Sequence, residues 1–115
     1  MNNTTKFCII YAVLSQETSE RLNVGLLAFA NGQTFYQYSE RKLAALEKLL
    51  PKETFTFFER LLRNIDISML DASSLDYLKR YYNNLLAISE VKDVQMPYTD
   101  DTTQWLYRNY VDNAA

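Results

Sequence analysis

Glu20 and Asn23, three residues apart, are the polar side chains best placed to do chemistry in this chain. They open the segment E-R-L-N-V-G-L-L, Glu20 to Leu27, at the entrance to a long apolar run. A carboxylate and an amide projecting from a strand end can face a ligand or a partner. With a Tyr or Lys beside it, Glu20 could also serve a hydrolytic or phosphoryl-transfer reaction, in a pocket shared with Asn23 and Arg41. The same residues have an architectural use, which is the favoured one. Asn23 can close a turn by bonding backbone groups, and Glu20 can pair with Arg21 or Arg41. Gly25, inside the run, marks a bulge or a close backbone approach, and packing explains it better than ligand contact.

Composition removes most other chemistry. The 115 residues contain no His, which takes away the usual general base, the usual zinc ligand and every Ser-His or Cys-His pair. Two glycines cannot build a phosphate-cradling loop. Cys8 is the lone cysteine and reads as a small core residue, with nothing near it in sequence to lower its pKa. Asp100-Asp101 resembles a metal-binding pair, but carboxylates at a helix start have a simpler use against the dipole. No second carboxylate cluster has a matching spacing, so neither a metal nor any other cofactor is expected. Lys79-Arg80-Tyr81-Tyr82 mixes basic and aromatic groups as single-strand binders do, yet it reads as one turn of an amphipathic helix. With 12 basic and 14 acidic residues the chain lacks the basic footprint of a nucleic-acid binder. No stretch approaches a membrane span, and Met1 to Lys6 lacks the apolar core of a signal peptide, so a cytoplasmic protein is expected.

The elements that position these residues are legible as a change of period. Phe7 to Leu14 is apolar on both faces, Phe7, Ile9, Tyr11 and Val13 on one and Cys8, Ile10, Ala12 and Leu14 on the other, so it reads as a central strand. Ser15 to Leu22 reads as a polar loop that can lend residues to the strand ends. Val24 to Ala30 is the second strand and Gln33 to Tyr38 the third, with Asn31-Gly32 as the hairpin turn between them. Thr34, Tyr36 and Tyr38 share one face of the third strand, and Phe35 takes the other. From Ser39, a plausible N-cap, Leu43, Leu46 and Leu50 recur at helical spacing up to Pro51. Phe55, Phe58, Leu62 and Ile65 form a second stripe. A third helix is expected after Ser73 or Ser74, through Leu75, Leu78, Tyr82 and Leu85, with Leu86 as a further inward position. Glu90 to Pro97 suits either a short edge strand or a loop. Thr99 starts a last helix whose expected buried face is Trp105, Leu106, Tyr110 and Val111, with Asp112 onward fraying.

The result is one α+β domain over residues 1–115. Its core is a three-stranded antiparallel meander, with a fourth short strand left open, and three or four helices pack on it in the order β-β-β-α-α-α-(β)-α. At E-x-x-N-V-G, Glu20 to Gly25, the chain resembles a small bacterial family, the domain of unknown function DUF 3037. The aromatic-rich first strand and the closing Trp105 to Val111 helix agree with that pattern. The resemblance implies a bacterial or mobile-element cytoplasmic protein, sometimes encoded beside HipA-like kinases in a toxin–antitoxin-like setting. It implies no catalytic residues.

The leading expectation is therefore an interaction protein without catalytic activity, pairing with a protein partner or with itself as a dimer. It would act through a sheet face or edge, with Glu20, Arg21, Asn23, Gly25, Tyr36, Tyr38 and Arg41 as candidate contacts. The face argument supposes that the helices cover only one side of the sheet, leaving Phe7, Ile9, Tyr11 and Val13 or their alternates exposed. A histidine-free enzyme using Glu20 is the alternative, and nucleic-acid binding a distant third.

Overall fold

The computed structural model describes residues 3–15, 20–30, 32–65 and 86–113. Strand β1 runs Thr5–Ser15, β2 Glu20–Ala30 and β3 Gln33–Tyr38. Helices α1, Glu40–Leu49, and α2, Lys52–Arg63, follow. Two short strands, β4 at Leu86–Ile88 and β5 at Lys92–Val94, precede helix α3, Asp100–Tyr107, which passes into a π-helical turn at Arg108–Asp112. The class is α+β, and the sheet order β3-β2-β1-β4, with β5 also on β1, makes β1 central. The third helix expected after Ser73 lies outside the described residues.

The second strand starts at Glu20, four residues before the expected Val24. Arg21 and Leu22 are not loop residues: they pair with Val13 and Ala12 of β1. The charged pair Glu20 and Arg21 hid this, because β2 here runs past the end of β3 and charged side chains cost nothing in water. At the point of entry the register slips. Ile10 faces Gly25 and Tyr11 faces Asn23, which leaves Val24 as an extra residue on β2. A Cβ on Gly25 would lie 3.4 Å from the Gln37 carbonyl oxygen and 3.5 Å from the Ile10 Cβ, ordinary contact distances, so of the two expectations for this glycine it is the bulge beside it that the structure bears out.

Ala30 pairs with Gln33, so a two-residue loop joins β2 to β3. Gly32 in that loop has φ of 78°. Ser39 caps α1, its Oγ accepting from the Lys42 N–H. Pro51 then does two things. It holds Leu50 extended, which ends α1, and it opens α2. At the other end of the chain Thr99 caps α3 and Asp100 and Asp101 occupy its positive end. Leu86 is buried as expected, but in a strand opposite Ala12 and not in a helix. The short strand sought near Val91 to Met96 is Lys92–Val94, with Val91 exposed beside it.

The core lies on both sides of the sheet. On one side Cys8, Ile10, Ala12, Val24 and Leu27 meet Leu43 and Leu46 of α1 and Phe55, Phe58 and Leu62 of α2. On the other, Phe7, Ile9, Leu26 and Ala28 meet Leu106, Tyr107 and Val111. The expected open face is thus closed by α3, with Phe7 and Ile9 only 2% and 6% exposed. Each such side chain contributes about 1.5–3 kcal/mol by burial, which is why a short helix suffices as a cover.

The last helix docks in a different phase from the expected one. Leu106 and Val111 are buried, but Trp105 and Tyr110 are 38% and 36% exposed, and Tyr107 takes the inward place. The π turn inserts an extra residue per turn after Tyr107, which carries Val111 inward and rolls Tyr110 out against Trp105, rings 6.4 Å apart. Asp112 does not fray; it is tied to Arg41 at 3.3 Å.

Replacing Gly32 by Val should lower stability by about 1 kcal/mol or more, measured by thermal unfolding. A Cβ there meets nothing within 4 Å, so the loss would be one of backbone conformation alone, and an unchanged midpoint would count against the turn. Leu106→Ala should cost about 2–5 kcal/mol and Trp105→Ala clearly less. The reverse ranking in denaturant titrations would overturn the docking phase.

Candidate functional site

The candidate residues divide between the two faces of the sheet. Tyr36 and Tyr38 lie on the α2 side, packed against its cluster with rings 5.7 Å apart. The Tyr36 hydroxyl donates to the Leu62 carbonyl at 2.6 Å. Arg63 donates to the Tyr38 hydroxyl at 2.9 Å, grips Glu40 with both terminal nitrogens at 2.7 and 3.0 Å, and reaches Glu59 at 3.2 Å. These tyrosines therefore fasten β3 to the helices and are not the rim of an apolar patch. Arg63 was not singled out in the sequence, although its four-residue spacing from Glu59 was a readable pairing signal.

Arg21 and Asn23 lie on the α3 side, because they face Val13 and Tyr11 across the ladder. Asn23 closes no turn. It stands in β2 and its Nδ2 donates to the Tyr110 carbonyl at 2.9 Å. Arg41, from the first turn of α1, reaches the same C-terminal turn and donates to the Asp112 carbonyl and carboxylate. Asn23 and Arg41 are thus brought together as a clasp on the end of the chain. Glu20 does not join them. It stands exposed at the start of β2, opposite Ser15, and pairs with neither Arg21 nor Arg41. Lys42, next to Arg41, is 5% exposed. Burial pulls its ammonium below the ordinary pKa, Arg41 adds to that, and the Asp112 carboxylate opposes it.

Arg21 has a different partner, Tyr11, which the sequence did not single out. The guanidinium carbon lies 4.6 Å from the centre of the Tyr11 ring, and Nη1 donates to the Tyr11 hydroxyl at 2.9 Å. The pairing was within reach of sequence reasoning once β2 was extended to Glu20, since the register then sets Arg21 diagonal to Tyr11. Asp112 and Tyr110 carried no such signal, as their roles exist only after the last helix has folded back.

Arg21 and Asn23 lie on a strand edge that no described strand pairs. β3 pairs with β2 from Ala30 back to Gly25, and the Ser39 N–H then bonds the Val24 carbonyl at 2.8 Å. Among the described residues no strand lies beside Glu20–Asn23 on that edge. Nor do three Asp, Glu or Cys side chains gather there, or elsewhere among the described residues, to hold a metal ion. No described helix is long and apolar enough to cross a membrane. Comparison with protein-family models, curated proteins and solved structures finds no match.

The Arg63 hub has a pH signature. Hydrogen bonding from Arg63 holds the Glu40 carboxyl below its ordinary value of 4.5, with burial opposing and the Arg63 charge assisting. A depressed carboxyl contributes stability that is present above its unfolded value and lost as pH falls through the folded one. Arg63→Ala should therefore be less stable than the parent at neutral pH, with the gap closing on acidification. Thermal unfolding between about pH 6 and pH 3 checks this, and a gap that stays constant would exclude Glu40 as the source.

Proposed function

We propose that this is a cytoplasmic interaction protein without catalytic activity, and that it engages a protein partner along the open β2 edge at Glu20–Asn23. The single observation that carries this reading is that β1 and β2 extend as a ribbon past the end of β3. An unpaired edge offers a row of N–H and C=O groups ready to accept another strand. The sheet-face version of the idea is withdrawn, because α3 covers that face. Tyr11 replaces Tyr36 and Tyr38 as the tyrosine beside the interface.

The hydrolase or phosphoryl-transfer alternative loses its constellation. It needs Glu20, Asn23 and Arg41 around one substrate, and two of the three grip the C-terminal turn. The resemblance of Glu20 to Gly25 to DUF 3037 favours the same partner role, with a HipA-like kinase as the partner class that resemblance implies.

A photo-crosslinking residue at Glu20, which is exposed on the edge, should capture a discrete partner in the native host. The same residue at Glu47, on the solvent side of α1, should not. Equal labelling from both sites, or none from Glu20, would reject the edge.

A further inference from the structure

We infer that the Arg21–Tyr11 pair selects the partner: the segment that adds to the β2 edge carries an acidic residue opposite Arg21 and comes from a different protein. This rests on the edge reading above and adds the chemistry of the occupant.

The first ground is the state of Arg21. Among the described residues Arg41 is committed to Asp112 and Arg63 to Glu40 and Glu59, while Arg60 and Arg108 are exposed with neither a carboxylate nor an aromatic ring against them. Arg21 meets no carboxylate among them and is exposed. Its guanidinium is nevertheless held in place, lying along the Tyr11 ring with Nη1 on the hydroxyl. No described carboxylate meets its remaining N–H groups. A stacked guanidinium has already lost much of its rotamer freedom, so a carboxylate that meets it gains charge-assisted hydrogen bonds at little further cost in order. On a strand, the natural source of that carboxylate is the residue directly across the ladder.

The second ground is register. A second copy that pairs this same edge with its own does so about a two-fold axis perpendicular to the sheet, which preserves the inward and outward faces. Opposed positions then sum to an even number. Centring on Glu20 or on Arg21 sets like charges directly against each other, which is unfavourable. Centring on Leu22 sets Arg21 against Asn23, which brings no acid. No two-fold register centred within β2 sets an acid against Arg21; the one that would, Arg21 against Glu17, is centred on Ser19, before the first residue of the strand. Glu20 and Arg21 act together against self-pairing as charged residues on edges do. A heterologous strand with Asp or Glu at one position meets the requirement.

The test uses fluorescein-labelled peptides of about six alternating Thr and Val residues, with either Asp or Lys at one central outward position. Their binding to the full chain is followed by anisotropy, and amide exchange locates the contact. The expected result is protection at Glu20–Asn23 and about fivefold tighter binding of the Asp peptide. Arg21→Glu should reverse that preference. Arg21→Gln, which keeps size and loses charge, should abolish it and stands in if the charge reversal disturbs folding. Equal affinities in the parent would overturn the acidic partner while leaving the edge reading intact. Binding of neither peptide would remove both. Self-association with protection at the same four residues would assign the edge to a second copy. A single-stranded oligonucleotide that competes with the Asp peptide and is lost in Arg21→Glu would assign it to nucleic acid.

Discussion

The fold depends on one constraint: β1 is apolar on both faces and sits in the middle of its sheet. Such a strand cannot stay half covered. Phe7 and Ile9 on one side and Cys8 and Ile10 on the other each need a roof, and no single layer supplies both. The chain meets the demand with two helices from its middle and a third from its last described residues. Much else follows from that. Asn23 and Arg41 hold the second roof in place, and β2 divides its core residues between the two sides, Val24 and Leu27 on one and Leu26 and Ala28 on the other.

How far the fold could be read from residues follows the strength of the local signal. The stripe Phe55, Phe58, Leu62 and Ile65 has only one sensible phase, and all four are buried. The Ser39 cap, the Pro51 break and the Gly32 turn are short-range devices whose physics lies within a few residues. The failures are long-range. Whether Glu20 to Asn23 is loop or strand depends on β1 lying alongside, which no window of β2 contains. Trp105 is the largest apolar side chain of its helix and would be expected to dock, yet α3 turns Thr102, Thr103, Leu106 and Tyr107 inward and the π turn after it adds Val111. Leu86 was rightly expected inside, but the element carrying it was set by pairing with Ala12.

The candidate site was legible in part for the same reason. Arg21, Asn23 and Arg41 were chosen for their type and position, and all three make specific contacts. What residue type could not convey was the side of the sheet. Tyr36 and Tyr38 fell on the opposite face from Arg21, so one supposed cluster became two unrelated arrangements. A strand alternates its side chains, and grouping residues by proximity in sequence overlooks that separation.

The late arrival of the second roof has a consequence for biogenesis. Leu106 and Val111 leave the ribosome about a hundred residues after Phe7 and Ile9, a delay of roughly 5–20 s at ordinary elongation rates. During that interval the β1–β2–β3 meander and its first two helices can assemble, but one side of the nascent sheet lacks the α3 residues that cover it in the finished fold. Long-range closures of this kind are slow steps in folding and leave sticky surface behind while they wait. A general chaperone that shields extended apolar segments would find its natural substrate in that half-roofed intermediate, on the same strand face that the finished protein hides.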